Sequence, residues 1–156
     1  MRFLSLLIII KFTICRTIVG QENPNNLPYE IYISSPQNVE FDKKNSCTVK
    51  IFQNNQLLSF TGKIKRRGGY TVRYPKASFS LHVNDKIKIG NLKRDKDFML
   101  ISSYIDKTFM RNRLSYDLFR LMDKKNTSPK IEYVKLKIND VDHGIYLLTE
   151  KLDAST

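Results

Sequence analysis

Apolar and polar residues alternate along four short stretches in the first half of the chain. They are "YEIYIS" at 29–34, "CTVKIF" at 47–52, "LLSFTGKIK" at 57–65 and "SFSLHV" at 78–83. Alternation with a period of two is typical of a strand with one buried face. The polar "NNQ" at 54–56 predicts a hairpin turn between the second and third stretches. The first half is therefore predicted to form a β-meander.

The pattern changes to a helical period in "DKTFMRNRLSYDLFRLMDKKN", residues 106–126. Asp106 is placed to act as the N-cap of this helix. The apolar residues that recur at helical spacing are Met110, Leu114, Leu118, Leu121 and Met122. We expect one amphipathic helix, with Met110 as a core residue.

The last part of the chain returns to strands. "EYVKLKI" at 132–138 and "IYLLTEKL" at 145–152 flank the polar "NDVDHG" at 139–144, a pattern that predicts a closing hairpin. His143 with its neighbouring aspartates is interpreted as part of this turn, and a metal site is not expected here. The predicted fold class is α+β, with an antiparallel β-sheet and one principal helix.

Composition favours one domain with an anionic partner. The chain has 156 residues, 41% of them hydrophobic, and a formal net charge of +12. A charge of this size attracts nucleotides, nucleic acids, acidic proteins and anionic surfaces without choosing among them.

The N-terminus has the layout of a secretory signal peptide. Arg2 precedes an apolar run that ends before the polar "QENPNN". We predict a signal peptide at 1–20, a linker at 21–27 and the domain at 28–156, with a secreted or cell-surface protein and no transmembrane span in its mature form. An uncleaved N-terminal anchor is the alternative.

The stretch "KIKRRGGYTVRYPK", residues 63–76, combines two glycines with basic residues on both sides. Two glycines between strands commonly supply the positive φ of a turn or bulge. They also expose backbone N–H groups, and flanking cations add the charge that a phosphate needs. Both interpretations of Gly68 and Gly69 stay open on these residues alone.

Three segments together resemble the CotH kinase-like proteins, a family named for spore coat protein H and related to atypical protein kinases. They are "RGGYTVRYPKASFSL", "DFMLISSYIDKTFMRNRLSYDL" and "VKLKINDVDHGIYLLTEKL". The resemblance covers roughly residues 27–153. It implies the N-terminal lobe of a kinase-like protein that binds ATP and Mg²⁺ and phosphorylates serine on a protein.

The resemblance also implies roles for individual residues. Lys76 would contact the nucleotide phosphates, with Arg67, Gly68 and Gly69 in the loop beside them. Tyr146 and Glu150, on one face of the last strand, would border the adenine. The alternatives are a solvated strand position for Lys76, core packing for Tyr146 and an exposed strand end for Glu150.

In the family the catalytic aspartate and the metal-binding segment lie after the part that resembles this chain. We therefore expect a truncated CotH-like protein that holds nucleotide phosphates without phosphotransfer of its own, so enzymatic activity stays uncertain. The alternative is a non-catalytic secreted, surface or spore-coat module that binds a serine-rich coat or surface protein. Nucleic acid is not expected as a partner, because the aromatic residues fall at core-facing positions.

Overall fold

The structure is a computed structural model that describes residues 29–41, 43–53, 55–123 and 128–151. The predicted signal peptide at 1–20 and linker at 21–27 lie outside these residues. Within the described part, no helix has the length and apolar character needed to cross a bilayer.

The described residues form seven strands, one 3₁₀ turn and one α-helix. In chain order they are β1 (Tyr29–Ser34), β2 (Asn45–Gln53), β3 (Gln56–Arg67), a 3₁₀ turn (Tyr70–Arg73), β4 (Ser78–Ile87), β5 (Asp95–Ile101), α1 (Arg111–Met122), β6 (Ile131–Ile138) and β7 (Val141–Glu150). The strands form a closed barrel in the order β1-β2-β3-β4-β5-β7-β6. All neighbours are antiparallel except β1 and β6, which run parallel with Ile31 opposite Leu136.

The barrel interior is filled by alternate residues of each strand, as the period-two patterns predict. Val49 of β2, Leu81 of β4 and Leu136 of β6 are almost fully buried, and their sequence neighbours point outward. The two predicted hairpins are confirmed: β2 pairs with β3, and β6 pairs with β7. Asn139 and Asp140 turn the second hairpin with φ of 48° and 66°, the left-handed conformation that tight hairpin turns require.

The predicted fold class, an α+β fold with an antiparallel sheet resembling a kinase N-terminal lobe, is wrong. The sheet closes on itself because β1 pairs with β2 on one side and, in parallel, with β6 on the other. A strand with one buried face shows the same alternation in an open sheet and in a barrel. The pattern therefore predicted the strands and missed their closure.

The predicted helix is present, but it begins later than the predicted N-cap implies. It begins at Arg111, and Met110 precedes it without a side-chain cap. The predicted N-cap, Asp106, instead holds the turn before the helix, where its carboxylate accepts hydrogen bonds from the Thr108 and Arg111 backbone N–H groups.

The apolar stripe of α1 faces solvent in the described structure. Leu118 is 50% exposed and Leu121 82% exposed, and Met110, Leu114 and Met122 are exposed as well. The helix is held instead by polar contacts, in which Arg113 and Arg120 donate to backbone carbonyls of residues 128–131. The expectation that Met110 is a core residue is therefore wrong.

Candidate functional site

Three basic side chains line the outer face of β3. Lys63, Lys65 and Arg67 alternate with Ile64, which is fully buried in the barrel, so the three cations point outward. Across the β3–β4 ladder, Lys63 lies opposite His82 and Lys65 lies opposite Ser80. This arrangement gives one side of the barrel a basic stripe.

The stripe forms one wall of an open groove of about 700 Å³, here called the basic groove. Residues of β4 and β5, two residues before β2 and the residue after β7 complete its lining. The lining residues are Phe41, Lys44, Lys63, Lys65, Arg66, Arg67, Gly68, Gly69, Ser80, Leu81, His82, Asp97, Phe98, Met99 and Lys151. Chain segments far apart in sequence therefore meet at this groove.

The electrostatics of the basic groove favour an anion. Six lysine and arginine residues line it, and among the described lining residues the one carboxylate is Asp97. The Oδ1 atom of Asp97 lies 2.9 Å from Nδ1 of His82. Cations that surround a concave surface reinforce one another's potential, because the protein excludes water from one side.

The glycine loop follows the stripe at the end of β3. Gly68 has φ of 131°, and a Cβ atom there would lie 2.3 Å from Oγ1 of Thr71. A Cβ atom on Gly69 would meet no heavy atom of the described chain within 4 Å. Gly68 thus turns the chain, as the structural interpretation of the glycines predicts, and Gly69 leaves its backbone open to the groove.

The side chain of Arg66, near the end of β3, holds this loop in place. Its Nη2 donates to the carbonyl oxygen of Val72 at 2.7 Å and to that of Tyr74 at 3.4 Å. Its backbone N–H donates to the carbonyl oxygen of Glu40 at 3.0 Å, which joins the loop to the segment before β2.

Lys76 does not line the basic groove. Its Nζ donates to the carbonyl oxygen of Ile145 at 2.6 Å and lies 4.4 Å from the centroid of the Tyr146 ring and 5.2 Å from that of Phe109. Burial and the charge of Lys107 lower the pKa of the Lys76 ammonium. The role of Lys76 in binding phosphate stays a prediction.

Tyr146 is a core residue at the barrel end where β4 begins. It is fully buried, its ring packs 6.1 Å from that of Phe79, and its hydroxyl donates to the carbonyl oxygen of Ala77 at 2.8 Å. Burial raises the pKa of this hydroxyl, which keeps it a donor at any physiological pH. These contacts agree with the core-packing interpretation of Tyr146. A contact between Tyr146 and adenine stays a prediction.

Glu150 lies at the opposite end of β7 and is buried. Its carboxylate accepts hydrogen bonds from the backbone N–H groups of Lys93, at 2.7 Å, and Lys130, at 3.5 Å. Glu132 of β6 accepts the neighbouring Asn91 N–H at 2.7 Å. The two carboxylates thus hold the loop between β4 and β5, and the predicted adenine contact of Glu150 stays a prediction.

The structure therefore divides the six predicted site residues into three places. Arg67, Gly68 and Gly69 share the basic groove, Lys76 contacts Tyr146, and Glu150 lies at the far end of β7. Alternation along β3 was the signal for the stripe. No sequence signal placed Lys44 and Lys151 in the groove, because each lies in a segment that is distant in sequence from β3.

No metal site is found among the described residues, where no three His, Cys, Asp or Glu side chains come close enough to hold an ion. Asp142 accepts the Gly144 N–H at 2.7 Å and lies 3.2 Å from Nζ of Lys135. Both contacts lower the pKa of its carboxyl group. His143 itself lies within β7, after the turn at Asn139 and Asp140, so the interpretation of it as part of the turn is wrong.

A family model described as CotH kinase protein matches residues 64–156, which include the glycine loop, β4, β5, α1, β6 and β7. No curated protein matches the sequence significantly.

Proposed function

This chain belongs to the CotH kinase protein family, and on that basis we propose that it binds the phosphate groups of ATP in the basic groove, beside Arg67, Gly68 and Gly69. One observation carries the proposal: six basic residues and an open glycine turn meet in one groove. Its volume of about 700 Å³ is within the range of small-molecule sites, roughly 300–1,000 Å³.

The residues supply the chemistry that a phosphate requires. The planar guanidinium of Arg67 suits two parallel hydrogen bonds to phosphate oxygens, whereas Lys63 and Lys65 add mobile point charges. The missing side chain at Gly69 lets a phosphate approach the backbone.

The experiment is isothermal titration of ATP into the full chain. Arg67→Ala should weaken binding by about tenfold to a hundredfold, since a hydrogen bond to a charged group is worth about 1.5–3 kcal/mol. Lys50→Ala is the control, because Lys50 is exposed on β2 and does not line the groove. Absence of saturable binding at millimolar ATP, or equal effects of the two variants, would overturn the proposal.

A second candidate function is a non-catalytic secreted or cell-surface module that binds a serine-rich coat or surface protein. The exposed apolar stripe of α1 favours it, because contiguous exposed apolar side chains mark protein-binding surfaces. Leu118→Ser should abolish binding to such a purified protein in biolayer interferometry. Leu57→Ser, which changes an exposed leucine on β3 away from α1, should leave it intact.

A further inference from the structure

The basic stripe is longer than one phosphate group. Alternate residues of a strand are about 6.6 Å apart, so Lys63, Lys65 and Arg67 span about 13 Å along β3. A phosphate bound at Arg67 and Gly69 leaves the Lys63 end of the groove to another ligand. The stripe is therefore suited to an anion that repeats its charge along a line.

An extended peptide repeats its side chains with the same spacing. Residues i, i+2 and i+4 of a β-like chain point to one side and follow one another at about 6.6 Å. Acidic residues at these positions would each lie opposite one cation of the stripe. A compact anion carries its charge at one place and cannot match the spacing of the three cations.

We propose that the basic groove binds an extended acidic peptide, whose alternate acidic side chains pair with Lys63, Lys65 and Arg67. The hydroxyl of Ser80, which also lines the groove, can hydrogen-bond to the peptide, and Lys151 adds a further positive charge to the lining. The inference goes beyond ATP binding and does not require it, although both ligands would use Arg67.

The lining favours a peptide over single-stranded nucleic acid. Nucleic acid bound without sequence preference stacks successive bases on aromatic side chains. Two aromatic residues line the groove among the described residues: Phe41 is 53% exposed, and Phe98 is buried in the core. One exposed ring does not make a platform for several bases.

The test is fluorescence anisotropy of the full chain with two labelled peptides of equal length and composition. In one, single Glu and Gln residues alternate; in the other, pairs of Glu alternate with pairs of Gln. The alternating peptide should bind about fivefold more tightly, because only it places acidic side chains at i, i+2 and i+4 on one side. Equal affinity for the two peptides would overturn the register argument.

Two variants locate the site. Lys63→Glu should weaken the alternating peptide about tenfold, since an attraction becomes a repulsion, and Lys63→Ala should have a smaller effect in the same direction. Lys50→Glu, with the same charge change outside the groove, should alter affinity less than about twofold. Equal effects of Lys63→Glu and Lys50→Glu would mean nonspecific charge attraction and overturn the proposal.

Two further measurements separate this inference from its alternatives. ATP affinity of the Lys63→Glu variant should fall less than peptide affinity, so loss of peptide binding alone leaves the ATP proposal standing. Peptide binding without ATP binding would refute the ATP proposal and support this one. Tighter binding of an oligothymidylate of equal charge than of the alternating peptide would overturn the peptide as ligand.

Discussion

The ammonium group of Lys76 lies over the face of the Tyr146 ring, 4.4 Å from its centroid. Because Tyr146 also donates from its hydroxyl to Ala77, the residue after Lys76, the two side chains join the start of β4 to the middle of β7. The charge of Lys76 is thus compensated within the protein, by a ring face and by the Ile145 carbonyl.

We predict that Lys76→Met lowers the free energy of unfolding by about 1–2 kcal/mol, because the cation–π contact and the hydrogen bond to Ile145 are lost. Urea denaturation followed by circular dichroism measures this, with Lys50→Met as the exposed control. ATP affinity should change less than about twofold. Selective loss of ATP binding at unchanged stability would instead support Lys76 as a phosphate-binding residue.

The two glycines of the loop should respond differently to alanine. Gly68→Ala should destabilise the protein by about 1–3 kcal/mol, because alanine at φ of 131° is strained and its Cβ would clash with Thr71. Gly69→Ala should cost less than about 0.5 kcal/mol, since its Cβ enters open space. Equal thermal unfolding shifts for both variants would contradict this description of the loop.

Glu150 should act through the β4–β5 loop. Glu150→Ala removes a buried carboxylate that accepts the Lys93 N–H, which should cost about 1–3 kcal/mol. Glu150→Gln retains one acceptor oxygen and should cost less. Native-state hydrogen exchange should show faster exchange at Lys93 in Glu150→Ala alone, and unchanged exchange would refute the role.

Cys47 should be unreactive in the folded protein, because it is buried and burial raises its thiol pKa to about 11. With Cys15→Ser, which leaves Cys47 as the one cysteine of the sequence, a disulfide reagent at pH 8 should react only after urea unfolding. As the pH rises, the Cys47 thiol loses its proton at a higher pH in the folded protein than in the unfolded chain. The contribution of this thiol to the free energy of unfolding is therefore complete below pH 9 and decreases between pH 9 and about 11. Rapid labelling of Cys47 without urea would contradict the prediction that this thiol is unreactive in the folded protein.

Local patterns predicted the strands, because alternation such as that around Val49 and Leu81 depends only on one face being buried. They also predicted a helix at α1. Periodicity gave its apolar face without saying what would cover it, and the side chain of Leu118 proved exposed. The parallel pairing of Ile31 with Leu136 has no local signal at all, which is why closure of the barrel was missed.

The candidate site, like the fold, was predictable where local alternation sets the geometry and not where distant segments meet. Lys63, Lys65 and Arg67 could be placed on one face by alternation, since β3 itself sets their spacing. Lys76 follows the same basic stretch in sequence, yet the chain turns at Gly68 and carries it to Tyr146. A short distance along the chain did not mean a shared site.

The parallel contact between β1 and β6 has a consequence for synthesis on the ribosome. β1 leaves the exit tunnel first, whereas its partner is translated about a hundred residues later. Until β6 is translated, the backbone N–H and C=O groups on one edge of β1 have no partner strand. These groups can then pair with other chains. Completion of the fold must wait for nearly the whole described sequence, and its rate should reflect the long loop that this contact closes.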